Sequence, residues 1–351
     1  MEGYRKALTV WYNHTKRDLP WRDGCEPYHI WVSEVILQQT RIQQGTDYYH
    51  NFLRLFPDVP SLANAPEVEV LKAWQGLGYY SRARNMHHAA KTIQNSFNGI
   101  FPADYHTIKK LKGIGDYTAA AIASIAFGLP YAVVDGNVYR VLSRLFGIST
   151  AIDSTAGRKE FYRLAQLLLD PDRPGDSNQA IMELGAIQCL PSRPLCPDCP
   201  LHTKCFAYEN QCIDRFPVKS KKTKQKERYL NFIYLHDKNN LFLEKRNDKD
   251  IWRNLFQFPV IETTGPSSPE EVITSLAWKE LFKNTSINIE SVYPEKIHLL
   301  THQRLHIRFY SVKLESNSVP GPGHWIAVEP MEISKYPVPK PVENFLMEMG
   351  H

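Results

Sequence analysis

From Met1 to about Cys212 the apolar positions recur with a helical period and show little strict alternation. The clearest run is Val138, Val141, Leu142, Leu145 and Phe146, at i, i+3, i+4, i+7 and i+8, with Gly147 as its stop. A second run, Tyr117 to Phe127, ends on Gly128 and Pro130. A third, from Tyr28 to Gln44, carries Ile30, Trp31 and Leu37 on one face. This half of the chain is therefore expected to be all-α.

The pattern changes after Pro217, where Val-Lys-Ser-Lys-Lys-Thr-Lys-Gln-Lys-Glu-Arg offers almost nothing to bury. Residues 218–228 are expected to form an exposed basic linker. Beyond it, Tyr229 to His236, Asn240 to Lys245 and Ile307 to Leu314 alternate or are rich in β-branched and aromatic residues, as half-buried strands are. A helix is expected from about Pro269 to Phe282. The predicted organisation is multidomain: an all-α unit over 1–217, the linker, and an α+β unit over 229–351. A chain of 351 residues is long enough for two such cores.

Composition narrows the class. No apolar run approaches the length of a membrane helix, and Met1 to Asp18 places Leu8, Trp11 and Tyr12 at helical spacing instead of forming a signal-peptide core. A cytoplasmic protein is expected. The net charge of +5 permits nucleic-acid binding without demanding it. Cys189, Cys196, Cys199 and Cys205 crowd into one stretch, which without an export signal points to metal and not to disulfides. Their spacing, x6, x2 and x5, lets four thiolates converge, but contains a single Cys-x-x-Cys knuckle where zinc ribbons pair two. On spacing alone, iron–sulfur and structural zinc both stand. Cys25 and Cys212 read as ordinary thiols.

Three further features bear on chemistry. Leu111-Lys112-Gly113-Ile114-Gly115 precedes a helix, so the turn can hold a phosphate on outward backbone N–H groups or be a plain helix–turn–helix corner. Asp135 directly precedes the strong amphipathic helix, where an N-cap is its ordinary use. Glu34 lies at i+4 from Ile30, i+3 from Trp31 and i−3 from Leu37, on the apolar stripe. A carboxylate there needs a purpose or a buried partner, and Arg22 is available as one. Gln38, Gln39 and Thr40 follow, polar groups suited to base edges or unstacked space.

Together these residues resemble the helix–hairpin–helix DNA glycosylases with a Gly/Pro-rich loop and a catalytic Asp, and within them the MutY-type adenine glycosylases. The resemblance covers nearly the whole chain. It is carried, in the family's order, by Leu19 to Arg22, Trp31 to Thr40, Gly76-Leu77-Gly78-Tyr79-Tyr80, Leu111 to Tyr117, Val134 to Val138 and the cysteine set.

The resemblance implies a glycosylase that flips adenine out of a pair with 8-oxoguanine or guanine and hydrolyses its N-glycosidic bond. Glu34 would protonate N7 and Asp135 would stabilise or trap the deoxyribose cation, with Tyr117 and Asn137 beside the sugar. Trp21 and Arg22 would border the adenine pocket. Gln39 and Tyr79 would fill the stack after the base leaves, and Thr40, Leu77, Gly113 and Gly115 would also lie on DNA. The physics predicts opposite shifts for the two acids: Glu34 raised by desolvation, Asp135 held ionised at a helix N-terminus. Tyr117 stands where endonuclease III-like relatives carry a Schiff-base lysine, which implies no strand cleavage. The cysteine set would hold a [4Fe–4S] cluster. The second unit would be a Nudix-like reader without pyrophosphatase chemistry, its sensing loop being Leu300-Thr301-His302 where the family often has Phe-Ser-His. Thr301 and His302 are the expected lesion contacts. Partners would be mispaired double-stranded DNA and, beyond it, a sliding clamp or mismatch-repair proteins, the chain itself being a monomer. Two other readings remain: a glycosylase for a mismatched pyrimidine, and a mismatch binder without chemistry, which would need neither Glu34 nor Asp135.

Overall fold

The computed structural model describes residues 1–220, 225–247, 250–283, 285–315 and 325–351. It divides into two compact units, one of Met1–Asn64 with Asn85–Lys221, the other of Ala65–Arg84 with Lys222–His351. Residues 221–224 of the expected linker lie outside the described residues, and Lys226 to Arg228 already belong to a strand.

The first unit is helical throughout its described residues. Its central helix, Pro27–Leu37, is apolar on every side and buries Tyr28, Ile30, Trp31, Val32, Ser33, Val35 and Ile36, as a helix inside a core must. It packs against Asp116–Phe127, whose buried face is Thr118, Ala119, Ala120, Ala121, Ile122 and Ala123. Those alanines let the two helices approach closely. The helix expected over Tyr28–Gln44 is in fact two: the first ends at Leu37, Gln39 takes φ 62°, and the second runs Ile42–Leu55. A left-handed residue cannot continue a right-handed helix, and the polar Gln38-Gln39-Thr40 lose no apolar packing by leaving it.

Gly136–Phe146 is capped by the Asp135 side chain and stopped by Gly147 at φ 65°. Pro174–Glu183 passes into a π-helical turn, Leu184–Gln188, that delivers the chain to Cys189.

The second unit is a mixed sheet. Strands β1 (Lys226–His236), β2 (Leu241–Lys245), β3 (Phe256–Gln257), β4 (Val260–Thr263), β5 (Ile287–Val292), β6 (Lys296–Leu299), β7 (Gln303–Leu314) and β8 (Ile326–Val328) are ordered β3-β2-β1-β7-β5, with β4 on β1, β6 on β7 and β8 on β2. Among the described residues only β1 and β7 pair in parallel, from Lys226↔Gln303 to His236↔Lys313. Both faces are covered, so both sets of alternate residues are apolar. Leu230, Phe232, Tyr234, Leu305, Ile307 and Phe309 pack with Phe345 and Leu346 of the helix Lys340–Glu348. Ile233, Leu235, Tyr310 and Val312 pack on the other face with Trp278. The single helix expected over Pro269–Phe282 is two, Pro269–Thr274 and Leu276–Leu281. Ser275 is extended there, and its side chain accepts from Trp278 N, so a new helix starts instead of the old one continuing.

Gly147 and Gly128 both stop helices with a left-handed residue, at φ 65° and 63°, but a Cβ on Gly147 would lie 2.4 Å from Phe206 Cδ1, while Gly128 faces open space. Gly128→Ala should cost about 1–2 kcal/mol through its backbone alone. Gly147→Ala should lower the thermal midpoint clearly further, read by circular dichroism. Equal losses would mean that the Phe206 contact does not restrain the helix stop.

Candidate active site

Glu34 projects from the buried helix toward Asp116–Phe127, where the Tyr117 hydroxyl is hydrogen-bonded to its carboxyl. That hydroxyl is also 3.5 Å from Met182 Sδ. Burial raises the Glu34 pKa to about 7, the negative charge of Asp135 adding to it, while the Tyr117 hydrogen bond and the charge of Arg22 oppose. Part of the side chain remains open to solvent, so the group is desolvated but reachable.

Asp135 caps its helix. One carboxylate oxygen accepts from Val138 N and the other from Asn137 Nδ2, each at 2.8 Å. These bonds favour the charged form, yet burial outweighs them and the Asp135 pKa is raised. The expected opposite shifts are thus corrected: both carboxyls move up, because they share one enclosure. They still differ in kind. Asp135 has two donors that favour its ionised form, and its negative charge is itself one cause of Glu34's upward shift.

Arg22 is not the partner of Glu34. Its Nη2 donates at 2.8 Å to Glu183, which also takes both guanidinium bonds of Arg17 at 2.8 Å. Burial pushes the Glu183 carboxyl up, but the bonds from Arg17 and Arg22 hold it down at about 2. Glu183 is 1% exposed and fixes Arg22 near the site. Trp21 lies edge-on to Tyr49, centroids 5.5 Å apart. Sequence reasoning missed Glu183, although an acid between Met182 and Leu184 in an apolar stretch is the signal that had singled out Glu34.

The cysteine loop wraps onto the Asp135 helix through two arginines that were also missed. Arg140 donates from Nε to Cys189 O at 2.7 Å, and from Nη2 to Gly185 O at 2.7 Å and Asn137 Oδ1 at 2.8 Å. Arg144, 3% exposed, donates to Leu190 O and Pro191 O and comes 3.4 Å from Cys189 Sγ. Cys189, Cys196, Cys199 and Cys205 are unpaired and line one small cavity. Burial pushes the Cys199 thiol up to about 11, the other three adding to it against one backbone hydrogen bond. Among the described residues no group of three or more His, Cys, Asp or Glu is set to hold a single metal ion.

The hairpin presents Lys112, Gly113 and Gly115 outward while Leu111 and Ile114 are buried beneath them. Gly113 needs its φ of 83°, and a Cβ there would strike Asn85. Gln39 is exposed and Thr40 half-buried. In the second unit Tyr79 is exposed at φ 48°, whereas Leu77 is turned inward at 9% exposure. Thr301 and His302 occupy the exposed turn between β6 and β7, closed by Leu300 N donating to Gln303 O at 2.8 Å. The Tyr79 hydroxyl and Thr301 Oγ1 are hydrogen-bonded. With Trp252, they border a cavity of about 530 Å³.

Residues 32–166 match the family described as HhH-GPD superfamily base excision DNA repair protein, and residues 231–348 match the NUDIX domain. The adenine DNA glycosylase of Buchnera aphidicola subsp. Baizongia pistaciae is 37% identical over 309 residues, covering 87% of this chain and 84% of its own. That of Mus musculus is 33% identical over 384 residues, covering 93% and 74%. Among solved structures, a thermostable thymine-DNA glycosylase has a TM-score of 0.56 at 30% identity, covering 60% of this chain and 96% of its own. An endonuclease III–DNA complex, with a TM-score of 0.52 at 20% identity, is similar in fold over 60% of this chain and 95% of its own. The thymine enzyme's likeness covers 60% of this chain, while that of the two adenine enzymes extends over 87% and 93%. The chain belongs to the adenine DNA glycosylase family, a helix–hairpin–helix glycosylase unit joined to a Nudix-like one, and it removes adenine from DNA in base excision repair.

Proposed function

We propose that the chain excises adenine paired with 8-oxoguanine or guanine by acid-assisted hydrolysis, without strand cleavage. The observation that carries this reading is the Glu34 carboxyl, raised to about 7 beside Asp135. An acid of that strength keeps its proton near neutral pH and gives it to N7 as the C1′–N9 bond breaks. The bonding electrons leave with adenine. The positive charge left on the sugar faces the ionised Asp135, and water completes the exchange, as in two-carboxylate glycoside hydrolysis. Asn137 and Tyr117 hold the two carboxyls; Trp21 and Arg22 border the flipped base. The hairpin at Gly113 and Gly115 takes backbone phosphate on its N–H groups. Gln39 and Tyr79 fill the emptied stack and Thr40 lies on the DNA, while the buried Leu77 stays beneath the surface.

In this reading the helical first unit holds the chemistry and the second unit, whose first strand begins at Lys226, reads the opposing base, Thr301 and His302 meeting 8-oxoguanine. The enzyme works on chromosomal DNA in the cytoplasm. Four reduced cysteines around one cavity, backed by Arg144, fit a [4Fe–4S] cluster. Bound there, the cluster supplies rigidity to a loop that grips DNA, and no step of the hydrolysis passes through it.

Single-turnover adenine release should fall as pH rises through about 7, because the raised Glu34 works only in its protonated form. Glu34→Gln should lose on the order of 10²-fold or more while retaining lesion binding. A rate that stays flat from pH 6 to 9, or a fully active Glu34→Gln, removes Glu34 from the acid role. Abasic product should stay uncleaved until alkali is added, and borohydride should trap little covalent adduct. Efficient trapping that persists in Tyr117→Phe would show another amine doing lyase chemistry. Protein purified without oxygen should be brown and contain about four irons, by metal analysis and absorbance. Zinc in their place would refute the cluster.

A further inference from the structure

Trp252 takes no part in the hydrolysis itself, yet the second unit holds it with several specific contacts. Its φ is 60°, and Asn254 follows at 66°. A bulky residue keeps a left-handed conformation only where its surroundings impose it, and such sites cluster at ligand clamps. The restraints here are specific. Asp250 Oδ2 bonds Arg246 Nη2 at 2.5 Å and Arg228 Nη2 at 2.8 Å, and both guanidiniums are almost fully buried. Arg246 Nε donates to Ile251 O at 2.8 Å, Leu255 N to Trp252 O at 3.0 Å, and Arg84 Nη1 to Arg253 O at 2.8 Å. Arg228 Nη1 reaches Gln303 Oε1 at 3.2 Å, the residue whose carbonyl closes the Thr301 turn. One buried cation therefore fixes two of the loops that border the cavity.

The cavity lining has the chemistry of a nucleobase site. Trp252 and Tyr79 supply aromatic surface, Thr301 and His302 supply hydrogen-bonding edges, and Arg84 and Lys340 supply positive charge for a sugar-phosphate chain. At about 530 Å³ it falls within the range of small-ligand sites. Leu300 gives the sensing turn no aromatic face, and Trp252 provides one to the same cavity.

We propose that Trp252 is a specificity-determining residue whose indole packs on the flat face of the purine opposite the target adenine, while Thr301 and His302 meet that purine's edge. The inference rests on the reading role proposed above for the second unit. Stacking holds any purine; it gives the edge contacts a fixed base to discriminate.

Three duplexes carrying a non-hydrolysable deoxyadenosine analogue test it, with 8-oxoguanine, guanine or an abasic analogue opposite. For the full-length chain, Trp252→Leu keeps apolar bulk on the core but removes the ring face. It should bind the two purine duplexes roughly five- to 150-fold more weakly, the range of base–aromatic stacking, and the abasic duplex as the wild type does. Trp252→Phe should recover most of the loss. An azide-bearing purine at the opposing position should photocrosslink the unaltered chain at Trp252, mapped by mass spectrometry, which needs no variant to fold. Equal weakening on all three duplexes, no weakening on any, or crosslinks only elsewhere overturns the role of Trp252. If instead Thr301→Ala with His302→Ala leaves the 8-oxoguanine to guanine ratio unchanged, the reading role itself fails, whatever Trp252 does.

Discussion

Keeping the Glu34 carboxyl away from water is the constraint around which the first unit is arranged. The helix that carries it buries seven residues over eleven positions, and its neighbour offers a run of alanines, so little solvent and, among the described residues, no directly bonded cation reaches the acid. Arg22, the guanidinium whose charge does act on Glu34, is already committed to Glu183. A direct ion pair to Glu34 would have pulled its pKa down, as Arg17 and Arg22 pull Glu183 to about 2. Two buried carboxyls in one unit thus end at about 7 and about 2. The difference is made by where two arginines point.

Asp135 adds a second cost to the same enclosure. Its charge opposes ionisation of Glu34, so the pair is more easily held as one acid and one anion than as two anions. Helix capping makes the division definite, since Val138 N and Asn137 Nδ2 can only donate, and donors favour an anion. Asn137 is held in turn by Arg140, whose other bonds grip the backbone at Gly185 and Cys189. The donor set around Asp135 is therefore continuous with the fold of the cysteine loop. A change in that loop would reach the carboxylate through one side chain.

The parts legible in the sequence were those written in local patterns. The helix stops at Gly128 and Gly147, the cap at Asp135, the hairpin at Gly113 and the strand alternation of β1 and β7 each depend on a few neighbouring residues. Glu34 was legible because an acid on an apolar stripe is anomalous by itself. What stayed hidden depends on distance in the chain. Arg22 and Glu183 are 161 positions apart, and nothing in either neighbourhood says that Arg22 turns to Glu183 and not to Glu34. The sign of the Asp135 shift was hidden for the same reason, since a cap is local but burial belongs to the whole unit. The breaks at Gln39 and Ser275 were misread because periodicity continues across a residue whose backbone does not.

Gln39, Tyr79 and Trp252 share a property that sequence does not display: each is a non-glycine residue with positive φ. In Trp252 the cause is visible as a buried ion-pair network, and the same Arg228 that anchors Asp250 also touches Gln303. Strain of this kind is stable only if breaking the restraint costs more than relaxing the residue gains. The restraint here is a guanidinium, 7% exposed, shared among Asp250, Glu262 and Gln303. Removing Asp250 would leave the buried Arg228 and Arg246 each short of a carboxylate, which costs more than a single strained torsion. The loop is consequently set before any ligand arrives. For the reading role proposed above this matters, because a hydrogen bond worth about 0.5–1.5 kcal/mol discriminates between two bases only if its geometry is fixed in advance.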